Sequence, residues 1–339
     1  MKRHHARPPR LIDLHVDWPL QYVGETTQFD PADYPEMMGR VGQVAGYLQT
    51  TSAAVVACFR SAADWARYAV PWLALMQLLA RVEAEFPGRI LAGPEDHARW
   101  KLDTDDLTWA IVGVEGFDFL VRQPSDLERL DGLFGRGVRV YQPIHGAANL
   151  LGGSCLAGDD RGLTPLGRDF LGRLVELGDD AKARPLLDIA HMNARTRSDV
   201  LDWFESAPER LARLLPIFSH GGLGGETQRA LNVEHLVRLR ALGGHLGLSV
   251  GPPHVETAEA LQRAIEQTAE VPFVGTAGVV GISLGTNFPS LVSTISGLHD
   301  AEAVVRWLMR TFGPTAAPGL IAGHAERLVE VATGAPSTT

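Results

Sequence analysis

Six titratable residues close apolar runs along this chain. LIDLHVD carries His15 and Asp17, and WAIVGVEG carries Glu115. GVRVYQPIH ends at His145, PLLDIAH at His191 and LPIFSH at His220. Imidazoles and carboxylates in such settings are costly to bury without partners. One histidine of this kind is ordinarily a satisfied structural residue. Five segment ends of this kind point to a shared partner, and a divalent metal is the simplest. Imidazole with carboxylate suits zinc, and also manganese, iron or cobalt. His15, Asp17, Glu115, His191 and His220 are more ligands than one open catalytic zinc takes. Two ions bridged by Glu115, about 3.5–4 Å apart, would use all five. His145, left over, could donate a hydrogen bond to developing negative charge.

For these groups to meet, the runs must be neighbouring strands with their carboxyl ends together. The pattern predicts eight strands, over 11–17, 53–59, 109–116, 137–145, 185–191, 215–220, 244–251 and 279–287. They alternate with segments of helical period, which predicts a parallel sheet with helical crossovers. The economical architecture is one α/β domain over 11–333, a (β/α)8 TIM-like barrel with its site at the carboxyl ends of the strands. In the first strand, residues two apart share a face, so Asp13, His15 and Asp17 line up. Thr164 and Pro165 start a helix with a Leu166, Phe170, Leu171, Leu174, Leu177 stripe, and Gly178 reads as its stop. Asn232 caps another, with Gly243 and Gly244 as its stop. Residues 62–86 read as one helix broken or kinked at Pro71, and a last helix lies near 317–332. The glycine-rich stretch after His145 reads as a mobile pocket wall or a solvated connector. HGGLGGE after His220 reads as backbone packed close beside the metal.

Of 339 residues, 45% are hydrophobic, which is ordinary for a globular protein with a large core. The net charge of −9 argues against a general nucleic-acid or anionic-membrane binder. The expected partner is a small-molecule substrate, with no nucleic acid and no membrane; a homodimer stays open. MKRHHARPPR resembles the start of a signal peptide, but Asp13, His15 and Asp17 interrupt any apolar region after it. It reads as a disordered tail, like residues 334–339. Cys58 and Cys155 have no metal-binding spacing and read as free thiols in a cytoplasmic protein, with one bridge between them left open.

In order, LIDLHVDWP, GVEG, GVRVYQPIH, GLTPLGRDFLGRLVELG, DIAHMN, IFSHGG and GISLGTNF make the chain resemble the renal (membrane) dipeptidases and their bacterial relatives, from about residue 11 to 330. The resemblance implies a (β/α)8 barrel with two zinc ions. It implies that His15 and Asp17 hold one ion, that His191 and His220 hold the other, and that Glu115 bridges them. A bridging hydroxide would attack the scissile carbonyl, and His145 would steady the oxyanion. Arg229, in QRALNVEHL, matches the arginine that receives the dipeptide's terminal carboxylate; an arginine fork suits that role. Taken without the resemblance, Arg229 is also an ordinary surface arginine before a helix start.

One departure bears on activity. After the eighth strand the family has a motif resembling G-[ST]-D-[FL]-D-G, whose aspartate shuttles the proton from water to the leaving amine. This chain reads GTNFPS, with Asn287 in that place. An amide does not titrate, so it cannot carry the proton. General acid–base help is worth about 10²–10⁴-fold, so its loss can leave a slow enzyme. The expected function is a metal-dependent hydrolase of dipeptides or similar small amides. The alternative is a weak or inactive metal-binding homologue that binds a small ligand or a partner.

Overall fold

The computed structural model describes residues 11–16, 54–59, 71–103, 108–117, 120–145, 150–156, 158, 160–180, 183–224, 229–287 and 294–336. It contains eight parallel strands: β1 (Asp13–Val16), β2 (Ala54–Phe59), β3 (Trp109–Glu115), β4 (Val138–Gln142), β5 (Leu186–Asp188), β6 (Leu215–Phe218), β7 (His245–Leu248) and β8 (Ile282–Leu284). Each pairs with the next in chain order, and β1 returns to β8 through Asp13 and Leu284, so the strand order closes. All eight sequence-predicted strands are present, each shorter than its apolar run. The site residues therefore sit mostly on the turns just beyond the strand ends.

Helices pack around this sheet: α1 (Pro71–Glu85), α2 (Pro94–Leu102), α3 (Leu130–Gly135), α4 (Pro165–Asp180), α5 (Ala194–Glu205), α6 (Val233–Ala241), α7 (Ala258–Glu270), α8 (Ala301–Pro318) and α9 (His324–Thr333). Residues 17–53, between β1 and β2, lie outside the described residues, as do the tail at 1–10 and residues 337–339. Thr164 caps α4 by accepting the Gly167 N–H at 3.0 Å, and Asn232 caps α6 by accepting that of His235 at 2.7 Å. Phe170, Leu171 and Leu174 are fully buried, each contributing roughly 1.5–3 kcal/mol.

Two expectations are corrected. Gly178 does not stop α4, which runs to Asp180. A Cβ there would lie 2.0 Å from the Arg213 carbonyl oxygen, so glycine serves a close approach. The described part of the predicted 62–86 helix is α1, which begins at Pro71, a residue with no N–H to donate; residues 60–70 lie outside the described residues. The last helix, α9, starts at His324 and not near 317; a wide helical turn over Gly319–Gly323 joins it to α8.

The interior is layered. Ile111, Val140, Leu186 and Ile217 pack with Ala325, Leu328 and Val329 of α9 in one buried cluster. Two or four residues further along the same strands come Glu115, Gln142, Asp188 and Ser219. Side-chain alternation puts them on the same face as the apolar layer. A polar layer thus stands on an apolar floor, at the carboxyl ends of the strands.

A candidate metal centre at the strand ends

Glu115, the last residue of β3, is the centre of the polar layer and almost fully buried. Its Oε1 lies 3.5 Å from His191 Nε2, 3.8 Å from His145 Nε2 and 3.9 Å from His220 Nε2. Its Oε2 lies 3.8 Å from His15 Nε2. Gln142 Nε2 donates to Oε1 at 2.8 Å and fixes the carboxylate's orientation. Five of the sequence-predicted residues therefore converge. Two ligand groups share Glu115: His15, Glu115 and His220 in one, and Glu115, His145 and His191 in the other. Asp17 lies outside the described residues.

Local structure aims each ring. His15 leaves β1 beside Asp13, whose carboxylate accepts from Thr286 N and Oγ1 at 2.9 and 2.6 Å and from His15 N at 3.1 Å. That single buried carboxylate ties β1 to the end of β8. His191 takes φ +61, an uncommon conformation for a residue with a Cβ, just after β5. Its carbonyl accepts from Cys155 N at 2.9 Å, and Ser154 Oγ donates to the His145 carbonyl. The glycine-rich stretch after His145 is thus no solvated connector over 151–155. Those residues are buried against two site strands; residues 146–149 lie outside the described residues. Cys155 is a buried free thiol, raised in pKa by burial. The side chain of Cys58 lies outside the described residues.

Burial holds His191 and His220 well below the usual imidazole range, reinforced by the neighbouring rings and, for His191, by Arg229. Their Nε2 atoms lie 2.9 Å apart. Two nitrogens on one tetrahedral zinc, each about 2.0–2.1 Å from it, would lie only slightly further apart. Neutral imidazoles around one carboxylate form a donor set suited to divalent ions, and the residues present fit such a centre.

Arg229 is half-buried, ahead of α6. Fully buried Arg197, on α5, donates to the Ala230 carbonyl at 2.8 Å and lies over the Phe218 ring, which steadies this loop. Asn287 is buried at the end of β8, and its N–H donates to the His15 carbonyl at 2.9 Å.

His254, on the turn after β7, went unnoticed in the sequence. Its ring meets that of His220 edge-on, with centroids 6.0 Å apart, and both its nitrogens are buried without a hydrogen-bond partner among the described residues. Gly222 permits this approach, since a Cβ there would lie 2.6 Å from the His254 carbonyl oxygen. The only sequence signal was the run of glycines opposite.

Buried neutral histidines should make the metal-free chain acid-labile. Burial pushes His254 to about 4, helped by Arg229 and His15, and pushes His245, at the far end of β7, to about 4. Unfolded histidine titrates near ~6.5, so below that the unfolded chain binds more protons and stability falls. For these two groups the loss is complete near pH 4. Thermal unfolding of chelated protein should show a level Tm above about pH 7 and a progressive fall below ~6.5. A Tm level down to about pH 4.5 would contradict this account.

Among solved structures, the chain superposes on the metallopeptidase dipeptidase AC of family M19, with TM-score 0.70 at 16% identity, over 97% of this chain and 100% of that one. The chain has the fold of this metallo-dipeptidase. A metallopeptidase from Rhodobacter sphaeroides, liganded with a phosphinate mimic of the dipeptide L-Ala-D-Ala, gives 0.67 at 16% over 96% and 99%. An amidohydrolase from Pseudomonas aeruginosa gives 0.66 at 14% over 96% and 97%. No family model and no curated protein matches the chain. Among the described residues no helix is long and apolar enough to cross a membrane.

Proposed function

We propose that this chain is a complete (β/α)8 barrel whose binuclear metal centre hydrolyses dipeptides or similar small amides. The observation that carries the reading is the convergence of His15, His145, His191 and His220 on the buried carboxylate of Glu115. The shared fold with metallo-dipeptidases supports it. In this reading His15 and Asp17 would hold one ion and His191 and His220 the other, with Glu115 serving both, the division that the family resemblance implies; zinc is the expected metal. When bound, such a pair makes water acidic enough to deprotonate near neutral pH and polarises the carbonyl under attack.

The chain's own residues do the rest. His145, held at the rim through its carbonyl by Ser154, donates to the carbonyl oxygen as it becomes negative. Arg229 pairs with the substrate's terminal carboxylate, and burial nearby strengthens that pairing. Asn287 can orient a water or accept one hydrogen bond, but it moves no proton. Asn287 also favours a second reading, a metal-loaded but slow homologue. Dipeptide turnover with added zinc or manganese separates the two: measurable hydrolysis supports the enzyme, and none supports the second reading.

The Arg229 role predicts a preference. Free dipeptides should turn over faster than their amidated forms. Arg229→Met should lower kcat/KM for the free form and largely erase the difference, mostly through KM. Equal turnover of both forms by the wild type would remove the carboxylate clamp.

A further inference from the structure

Ser219 stands one residue before His220, and its hydroxyl has three partners. Its Oγ lies 2.9 Å from His220 Nδ1 and 3.1 Å from His15 Nδ1, and it donates to Asp188 Oδ2. Ser219 and Asp188 are both fully buried. Asp188 Oδ1 accepts the backbone N–H groups of Ala190 and Ser219, each at 3.0 Å. Burial raises the Asp188 pKa, and the Ser219 hydroxyl, His15 and these two backbone donors oppose it; the two N–H groups occupy Oδ1 and leave Oδ2 for the hydroxyl. The His15 and His220 rings pack at 3.7 Å between centroids, which places both Nδ1 atoms over the same oxygen.

Counting protons settles the roles. A hydroxyl has one proton and two acceptor lone pairs. With its proton on Asp188, Ser219 accepts from both rings, so each must carry its proton on Nδ1. Each Nε2 is then a bare lone pair. These Nε2 atoms are the ones that face Glu115, at 3.8 and 3.9 Å. If Asp188 did not take the hydroxyl proton, that proton would point at one ring, and that ring would carry its hydrogen on Nε2.

We infer that Ser219 and Asp188 form one positioning unit that sets the tautomer and orientation of His15 and His220 together, and so couples the two metal positions through a single hydroxyl. The inference rests on the metal reading proposed above. Metal-bound histidines usually have one partner each, and losing it typically costs about 10–100-fold in metal affinity. Here one oxygen serves two rings from β1 and β6, so its removal should weaken both positions.

The test uses the full chain, stripped with chelator and titrated with Zn²⁺ against a competing chelator. Ser219→Ala, checked for folding by circular dichroism, should bind both equivalents about 10–100-fold more weakly. Asp188→Asn should weaken chiefly one, because its amide donates to Oγ and turns the hydroxyl proton onto one ring. Two-bond ¹H–¹⁵N correlations in the wild type should find the Nδ1–H form at both His15 and His220, and this measurement decides if a variant fails to fold. Wild-type affinity in Ser219→Ala, weakening of one equivalent only, or an Nε2–H form at either ring would overturn the inference. A wild-type chain that takes up no zinc would defeat the metal reading itself, while the ring correlations still judge the hydroxyl's role separately.

Discussion

Asn287→Asp should raise dipeptide turnover by about ten-fold or more, in kcat, with metal content unchanged. Ten-fold corresponds to about 1.4 kcal/mol of barrier, within the 10²–10⁴-fold range of such groups. The backbone at this position takes φ +59, a conformation that asparagine and aspartate both tolerate, and the two side chains have nearly the same shape. The Asn287 N–H to His15 carbonyl bond does not involve the side chain and should survive. Packing is therefore preserved while a titratable group returns to the end of β8. Nearby positive ions would favour its ionised form, leaving it free to take a proton at neutral pH and pass it to the leaving amine. A folded, metal-loaded variant that is no faster would mean that the chemistry bypasses this position or that the pocket no longer accepts dipeptides. Dipeptide binding to the same variant distinguishes these, since only the second abolishes binding.

Glu115→Gln should have the larger loss. Among the described residues the carboxylate is the one group within 4 Å of four imidazole nitrogens, and it belongs to both ligand groups. The amide keeps the shape but removes the charge and one acceptor. The Gln142 N–H holds the remaining oxygen at the Oε1 position, so the amide nitrogen replaces Oε2 and turns a donor toward His15 Nε2. Both metal equivalents should be lost and hydrolysis should fall to that of the stripped protein. His191→Ala or His220→Ala should instead lose one equivalent preferentially. Full retention of both metals by Glu115→Gln, measured by elemental analysis, would remove the bridge.

The sequence carried the strands well because a buried parallel sheet needs apolar runs, and a histidine or glutamate at the end of such a run stands out. Glu115, His145, His191 and His220 were legible for that reason, and the structure gathers them. Ser219 and Asp188 were not, although IFSH and DIAH were in view: a serine or aspartate beside a histidine has no spacing that declares which atom it faces. His254 was hidden differently. It lies on a turn after a glycine-bearing strand, and only the missing Cβ of Gly222 lets that turn approach His220. Gly178 was misjudged as a helix stop because its role is a contact with Arg213, far along the chain, that no local pattern records.

The strand ends should hold two divalent metals. Elemental analysis of the purified chain, before and after incubation with zinc, tests it most directly. The expected result is two equivalents per chain, with dipeptide hydrolysis rising as they are filled. A chain that remains metal-free after incubation with zinc, manganese or cobalt would contradict it.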